Sequence, residues 1–412
     1  MKYFALAVAL ILLLPTSTFA QNWVFTAPID VTTRTDDNYY HHLESAGRRN
    51  IAVSEDTVAI VWEDDRTGMP KIYLALKNIN DSVFAKEIII SGAGEAYEPS
   101  IVAMDENRFA ISWEEDGKIF VRSLDASSLK KPLLSKVLKL SGKQAMQASI
   151  AAHEHRVYVV YSDQAERFGR IRLAQLDVNP QQSLSLLEDC LIDPQPVKDQ
   201  QLYPTAVIAE HRIIIAWEDR RQGHTIIMAT QSQPDRYCDF SPPERISKRP
   251  GNRKLPYGKG HGVARVALAP YGQSDIMAAW ADKRNFREGY DIFASGYEKS
   301  GQWGDNIRVQ DEFGGEARQW HTTIAGHSNG FLIAAWSDER EESTDIFFSG
   351  FDKGEWSEDV AMPGASGTGE QNHPTITFDK AGNLHVAWIL RHETGGPTQL
   401  KYMFGRLNQV SQ

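Results

Sequence analysis

The sequence predicts an all-β protein, a seven-bladed β-propeller with four-stranded antiparallel blades. One aromatic residue, nearly always tryptophan, ends an apolar stretch and recurs at intervals of about 50 residues. These anchor aromatics are Trp62, Trp113, Tyr161, Trp217, Trp280, Trp336 and Trp388. A repeat of this length with strand-like segments between the copies is typical of propellers, in which each repeat forms one blade.

Each repeat contains four strand-like segments. The first is rich in small residues, as in 100–103, which suits the crowded strand nearest the axis, and a turn-forming stretch such as 105–107 follows it. The second is apolar up to the anchor aromatic, as expected for a sheet packed on both faces. The third alternates in polarity, as in 71–75, and the fourth, such as 87–91, indicates a more exposed strand. We expect almost no helix.

The seventh repeat lacks a clear fourth strand after residues 402–404. Near the N-terminus, residues 28–32 have the same pattern as the outer strands of the other repeats. We therefore expect this N-terminal strand to complete the last blade and close the ring, which removes an exposed sheet edge.

Residues 1–20 have the features of a secretory signal peptide. Lys2 precedes an apolar run over 3–14, and the small-residue pattern at 18–20 fits a cleavage site. The run is too short to cross a bilayer, which takes about 20 apolar residues. We expect a secreted or periplasmic protein whose single propeller domain spans 21–412.

The net negative charge of the chain disfavours some classes of binding partner. A formal net charge of −10 disfavours nucleic acid and anionic membranes as general partners. No later stretch is long and apolar enough for a membrane helix. We expect a monomer without a membrane span, whose partner is an anionic saccharide or a protein.

Two cysteines, Cys190 and Cys238, flank most of the fourth repeat. In an oxidising compartment a pair of cysteines favours a disulfide, and two unpaired thiols are the alternative.

The tight copies of the repeat place an acid two residues after tryptophan and an arginine four residues after it. These pairs are Asp64 and Arg66, Asp219 and Arg221, Asp282 and Arg284, and Asp338 and Arg340. One interpretation is a ring of charged sites. The other is structural, because a device present in most blades is scaffold and an Arg–Asp fork suits a fixed turn. The structural interpretation is favoured.

Tandem units of the form A-W-x-D-x-R-x-G followed by D-I-Y/F resemble the repeat propellers of secreted bacterial proteins grouped with sialidases and Asp-box proteins. Residues 379–388, DKAGNLHVAW, are similar to a D-x-x-G-N-x-H-V-A-W pattern in that group. The resemblance covers nearly the whole mature chain. It implies the propeller fold and, more weakly, a sialidase-like glycoside hydrolase. The chain has no Ser-x-Asp-x-Gly-x-Thr-Trp box.

Function is expected where one repeat departs from the others. The first strand begins with a small polar residue in most repeats, and the fifth carries Arg265 there. The preceding loop, 248–262, holds five Lys and Arg residues including Lys259. These cations predict a site for an anion at the channel mouth, with a solvated loop as the alternative. Neighbouring repeats add further candidates for this site, namely Arg48 and Arg318 for charge and Tyr203 and Trp320 for stacking on a sugar.

Histidines gather at the same level of the predicted ring: His42, His261, His321 and His373. Their blades are consecutive, so that the side chains could hold one divalent metal, the one cofactor the sequence suggests. Hydrogen-bonded or solvent-facing histidines are the alternative.

Three functions remain open from the sequence. The leading hypothesis is an exported propeller that binds an anionic saccharide at its channel mouth, without clear catalytic machinery. The second is a glycoside hydrolase that uses mouth carboxylates, with Glu98 as the candidate catalytic residue. The third is an envelope scaffold for protein interactions, in which the histidines either hold a metal or have no special role.

Overall fold

The computed structural model confirms the seven-bladed β-propeller. It describes residues 19–32, 39–43, 47–141, 144–179, 181, 183–193, 195, 198–248, 262–284, 289–298, 301–311 and 316–408. Most of the predicted signal peptide therefore lies outside the described residues. The one helical element among them is a 3-10 turn, Ala20–Asn22. No helix in this part of the chain has the length and apolarity needed to cross a membrane.

Each blade is an antiparallel sheet whose strands follow one another outward from the axis. Blade 1 contains β3 (His41–His42), β4 (Ile51–Ser54), β5 (Thr57–Asp64), β6 (Lys71–Asn78) and β7 (Ile88–Ile89). Blade 2 contains β8 (Ala96–Ala103), β9 (Arg108–Glu115), β10 (Lys118–Asp125), β11 (Leu133–Leu134) and β12 (Leu138–Lys139). Blade 3 contains β13 (Ala145–His153), β14 (Arg156–Asp163), β15 (Arg170–Val178) and β16 (Leu184–Leu191). Blade 4 contains β17 (Gln201–Ala209), β18 (Arg212–Asp219), β19 (Ile226–Gln233), β20 (Arg236–Phe240) and β21 (Glu244–Arg245).

The remaining three blades have the same order. Blade 5 contains β22 (Val263–Tyr271), β23 (Asp275–Asp282), β24 (Asp291–Tyr297) and β25 (Ile307–Arg308). Blade 6 contains β26 (Gln319–Gly326), β27 (Leu332–Asp338), β28 (Asp345–Asp352), β29 (Glu355–Trp356) and β30 (Val360–Ala361). Blade 7 contains β31 (Glu370–Phe378), β32 (Leu384–Arg391) and β33 (Thr398–Leu407), with β1 (Trp23–Phe25) and β2 (Ile29–Asp30) on its outer edge.

The ring is closed by the N-terminal strands, as the sequence predicts. Trp23 pairs with Leu407 in β33, and Ile29 pairs with Tyr402 in the same strand. The innermost strands of successive blades contact one another all the way round, including β31 with β4. The outer edge of the last blade is therefore covered by the start of the domain.

The hydrophobic core lies between the blades. Trp113, for example, is fully buried in a cluster with Val61 and Leu74 of the preceding blade. All six anchor tryptophans are 0–1 % exposed. Burying an aromatic side chain of this size contributes about 1.5–3 kcal/mol, which explains why the anchor recurs in almost every repeat.

The Asp and Arg of the repeated motif fix the turn after the second strand. In blade 4, the Trp217 indole Nε1 donates to Asp219 at 3.2 Å, and the Arg221 backbone and guanidinium donate to the same carboxylate at 2.8–2.9 Å. The acids of the other three tight copies bond their tryptophan and arginine in the same way. Each of these carboxylates is buried. The motif therefore acts as a structural clasp within each blade.

Cys190 and Cys238 form a disulfide, with their Cα atoms 6.0 Å apart. The bond joins β16 to β20, the outer strands of blades 3 and 4.

Candidate functional site at the channel mouth

In six blades the innermost strand bulges opposite the anchor aromatic. In blade 2, Tyr97 pairs with Glu114 and Ser100 pairs with Ser112, so that two residues face Trp113 alone. Blades 3 to 7 show the same register shift. The first bulge residue of each blade has a positive φ, from 50° to 62°: Glu98, Gln147, Tyr203, Arg265, His321 and His373. We call these six residues the mouth ring.

None of the mouth-ring residues is glycine, so each adopts a backbone conformation that is uncommon for its type. The cost is of order 1 kcal/mol or more per residue and is borne by the surrounding sheet. Backbone of this kind concentrates at functional sites, because it aims a side chain in a direction that a regular strand does not allow.

The register corrects one sequence-based alignment. Ala267 pairs with Ala279, just as Thr205 pairs with Ala216 in the preceding blade. The fifth equivalent of the small polar residues is therefore Ala267. Arg265, which the sequence analysis placed there, belongs to the bulge two residues earlier.

Blade 1 has a longer insertion at the bulge position, and it reaches across the axis of the ring. The carbonyl oxygen of Gly47 accepts hydrogen bonds from Ser149 (2.9 Å) and Thr205 (3.0 Å), in blades 3 and 4. Arg49 donates to the carbonyl of Leu268 in blade 5 at 3.0 Å. Gly47 has φ +93°, and a Cβ there would lie 2.5 Å from the carbonyl oxygen of Val266, so only glycine fits. We call residues 47–50 the plug.

The plug carries Arg48 into the middle of the mouth ring. Its side chain is enclosed, at 2 % exposure, and its Nη2 lies 2.9 Å from the carboxylate of Glu98. Its guanidinium also lies 5.6 Å from the centre of the Tyr203 ring. Arg48 is thus an internal partner of Glu98, and not the open anion site that its charge suggested in the sequence.

In several blades the residue that follows the anchor aromatic holds the mouth-ring residue of the next blade. Glu218 accepts a 2.9 Å hydrogen bond from the backbone of Arg265, and Ser337 accepts one of 3.1 Å from His373. Glu114 accepts from the backbone of Gln147 in the same way. These bonds connect one blade to the next at the mouth.

A cavity of about 430 Å³ opens between blades 1 to 4 and blade 7 at this level. It is lined by His42, Leu43, Glu63, Tyr97, Glu98, Pro99, Glu114, Met146, Gln147, Tyr203 and His373. Carboxylates, amide groups and aromatic rings therefore face a space of the size of small-molecule binding pockets.

Two carboxylates of the cavity differ in their surroundings. Desolvation, followed by the negative charge of Glu98, raises the pKa of Glu114 to about 7, while Arg48 opposes that rise. Glu98 forms the ion pair with Arg48 and is about one quarter exposed. The pair therefore combines a carboxyl that holds its proton near neutral pH with a charged neighbour.

Arg265 lies on the far side of the ring from Glu98, three blades away. Its guanidinium carbon is 3.3 Å from the centre of the Tyr203 ring, and its Nη1 is 3.2 Å from Glu218. The side chain is 32 % exposed. Burial raises the pKa of Glu218, and the Arg265 charge opposes that rise.

The histidines of the suggested metal site are described in part. The rings of His321 and His373 are stacked, with their centres 3.8 Å apart and an angle of 26° between their planes. Desolvation lowers the pKa of His373 to about 4 and that of His321 well below 6.5. Across the described residues, no three His, Cys, Asp or Glu side chains are grouped to hold a metal ion. His261 lies outside the described residues.

Two further candidates lie at the edge of the mouth. Trp320, the residue before the bulge of blade 6, stacks on Tyr290 and on His321. Arg318 is 60 % exposed, with its guanidinium 5.5 Å from the Trp320 ring centre. Lys259 lies outside the described residues.

Sequence reasoning missed Glu63, Glu114 and Gln147, which line the cavity with Glu98. One sequence pattern could have indicated the two glutamates. Glutamate directly follows the anchor tryptophan in the first, second and fourth repeats. A proline inside the first strand, at Pro99, also marks a bulge, because proline cannot donate to a sheet ladder.

Comparison with known proteins gives the fold alone. No family model and no curated protein sequence matches the chain. Among solved structures it resembles an ulvan lyase of a new polysaccharide lyase family, at TM-score 0.59 and 10 % identity over 91 % of this chain and 95 % of that one. The polysaccharide lyase Uly1 gives TM-score 0.58 and 9 % identity, over 89 % and 91 % of the two chains. An α-L-arabinofuranosidase from Fusarium graminearum gives TM-score 0.50 and 9 % identity, over 77 % and 94 %.

Proposed function

We propose that this protein is exported and binds a saccharide in the cavity at the channel mouth, with an acidic group of the sugar directed to Arg265. The observation that carries the proposal is the mouth ring itself. Six blades hold a residue in the strained positive-φ conformation at the channel mouth, and five of those side chains are charged, aromatic or imidazole groups. Four of the six residues, Glu98, Gln147, Tyr203 and His373, line the cavity.

The chemistry of the cavity suits a sugar. Carboxylate and amide side chains such as Glu63, Glu98 and Gln147 can bond several hydroxyl groups at once. Tyr97 and Tyr203 provide aromatic surface for the apolar face of a sugar ring. A volume of about 430 Å³ accommodates a short saccharide unit.

An acidic sugar is favoured by the position of Arg265. This guanidinium is the partly exposed cation of the mouth ring, and the Tyr203 ring beneath it holds it in a fixed place. Guanidinium groups bind carboxylate and sulfate with two parallel hydrogen bonds. Two of the structurally similar proteins are polysaccharide lyases, one of them acting on ulvan, which supports a saccharide ligand as a proposal.

Calorimetric titration of the purified protein with a panel of acidic and neutral oligosaccharides tests this function. We expect binding of at least one acidic member, a loss of about tenfold or more in Arg265→Gln, and a comparable loss in Tyr203→Ala. The matched control is Arg236→Gln, because Arg236 is 68 % exposed on the outer strand of blade 4 and pairs with the exposed Asp239. Its affinity should equal that of the wild type. The proposal fails if no saccharide binds, and its acidic part fails if Arg265→Gln weakens neutral and acidic members equally.

A further inference from the structure

We propose that the cavity cleaves the saccharide it binds, with Glu114 as the proton donor to the glycosidic oxygen and Glu98 as its charged partner. This inference rests on the proposed saccharide site and adds a reaction to it.

The fold brings the two carboxylates together from adjacent strands. Glu114 lies on β9 directly opposite Tyr97, and Glu98 is the next residue, at the start of the bulge. The positive φ of Glu98 turns its side chain towards the same cavity that Glu114 lines. A regular strand would have placed consecutive residues on opposite faces of the sheet.

Each carboxylate is held by its own partners. Arg48 of the plug pairs with Glu98 at 2.9 Å, and the backbone of Gln147 donates to Glu114. Glu63 lies 3.5 Å from the backbone nitrogen of Glu98, so that it supports the bulge rather than the reacting pair. Fixed partners of this kind keep the two groups at a constant separation, as acid–base work on one bond requires.

The two groups differ in proton affinity. Desolvation and the charge of Glu98 raise the pKa of Glu114 to about 7, so it is still substantially protonated near neutral pH. The other titratable or charged groups that face the pair are Glu63, His42, His373, Tyr97, Tyr203 and Arg48. The lowered pKa of His373 keeps that imidazole neutral at pH 7, so it adds no charge to the pair.

Glycoside hydrolysis uses two carboxyl groups in this way, one protonated as the acid and one charged as the base. Glu114 gives its proton to the glycosidic oxygen as the bond from that oxygen to the anomeric carbon breaks. Water bonds to the anomeric carbon through its oxygen and gives a proton to Glu98. One water is consumed, two sugar hydroxyls result, and transfer of the proton from Glu98 through solvent to Glu114 restores the enzyme.

The test uses aryl glycosides of neutral and acidic sugars with good and poor leaving groups. Wild-type protein should release the aryl group, with an alkaline limb of the pH profile near 7. Glu114→Gln should lose at least 100-fold on the poor leaving group, methoxyphenyl, because general acid catalysis contributes about 10²–10⁴. Its cleavage rate should fall much less on dinitrophenyl glycosides, because the dinitrophenolate leaving group departs without being protonated. A merely structural role would lower both rates equally.

Two further variants complete the experiment. Glu106→Gln is the matched control, because it changes an 81 % exposed carboxylate in the turn at the other end of the same strand pair, and it should leave both rates unchanged. Glu98→Gln removes the proposed base, so both rates should fall, and loss of the negative neighbour should move the alkaline limb of the remaining activity to lower pH. Melting curves exclude misfolded variants.

The outcomes separate this inference from the proposed function. If saccharides bind the wild type but stay intact at every pH, the cleavage reaction is refuted while the binding site stands. Release of an unsaturated sugar refutes hydrolysis in the same way. If no saccharide binds at all, both proposals fail.

Discussion

One buried carboxylate in each tight repeat binds an indole and a guanidinium at the same time. In blade 6, Asp338 accepts from Trp336 at 2.8 Å and from Arg340 at 2.7 Å, and it is fully buried. Removal of such a group leaves a buried donor and a buried cation without their shared acceptor.

Asp338→Ala should therefore lower the free energy of unfolding by about 3 kcal/mol or more. The midpoint of denaturant unfolding, followed by tryptophan fluorescence, measures it. The matched control is Asp352→Ala, because Asp352 is 40 % exposed and pairs with the exposed Lys353 at 3.8 Å. An exposed pair of this kind contributes about 0–1 kcal/mol. Equal midpoints for the two variants would contradict the clasp.

The stacked histidines predict a loss of stability in acid. The pKa of His373 is about 4 in the folded protein, against 6.5 in the unfolded chain. As the pH falls from 6.5 to 4, the unfolded chain takes up the proton first, so the folded state loses stability across that window. His373→Asn should flatten the pH dependence of the unfolding free energy by ~2 kcal/mol between these limits.

Denaturant unfolding at pH 7, 6, 5 and 4 measures this slope. His155→Asn serves as the control, because the His155 side chain is 56 % exposed and should leave the slope unchanged. An unaltered slope in His373→Asn would show that His373 gains its proton as easily in the folded protein as in the unfolded chain.

At the scale of strands and loops, the bulge decides which side chains reach the mouth. The sequence predicted the strands, because apolar runs ending on an anchor aromatic are local patterns. It did not predict the bulge, because the register of the first strand depends on pairing across the sheet. Arg265 was consequently aligned two residues away from its true equivalents, and Glu114 was not recognised.

The N-terminal strand β1 makes a testable contribution to blade 7. Trp23 is 5 % exposed and packs against Phe331 and Phe378, with ring centres 6.3 and 5.9 Å away. Trp23→Ala should cost about 3–5 kcal/mol of unfolding free energy, the usual loss for a buried aromatic residue.

The neighbouring Val24→Ala is the matched control for this change. Val24 lies in the same strand but is 56 % exposed, so its truncation should shift the unfolding midpoint little. Differential scanning calorimetry of both variants measures the difference. A normal melting temperature for Trp23→Ala would mean that the last blade is stable without β1.

At the scale of the molecule, the repeat was sufficient to predict seven blades and the closure of the ring. Each anchor aromatic needs the same packing between blades, so the requirement returns with a constant period. The plug could not be predicted from the repeat. Residues 47–49 have no counterpart in the other repeats, and their partners in blades 3, 4 and 5 are more than 100 residues away in the chain. No local sequence pattern predicts a contact over such a distance along the chain.

The pairing of β1 with β33 also constrains the order in which this protein can mature. A ribosome adds residues in chain order, so Trp23 is made long before its partner Leu407 exists. Blades 1 to 6 contain all their own strands and can assemble as they emerge, whereas the seventh must wait for the end of β33. Until then the apolar side chains of β1 lack the part of their cover that blade 7 provides, such as Phe378. The seventh blade is therefore the last to be completed, and the chain is most exposed to proteases and to aggregation before β33 has been made.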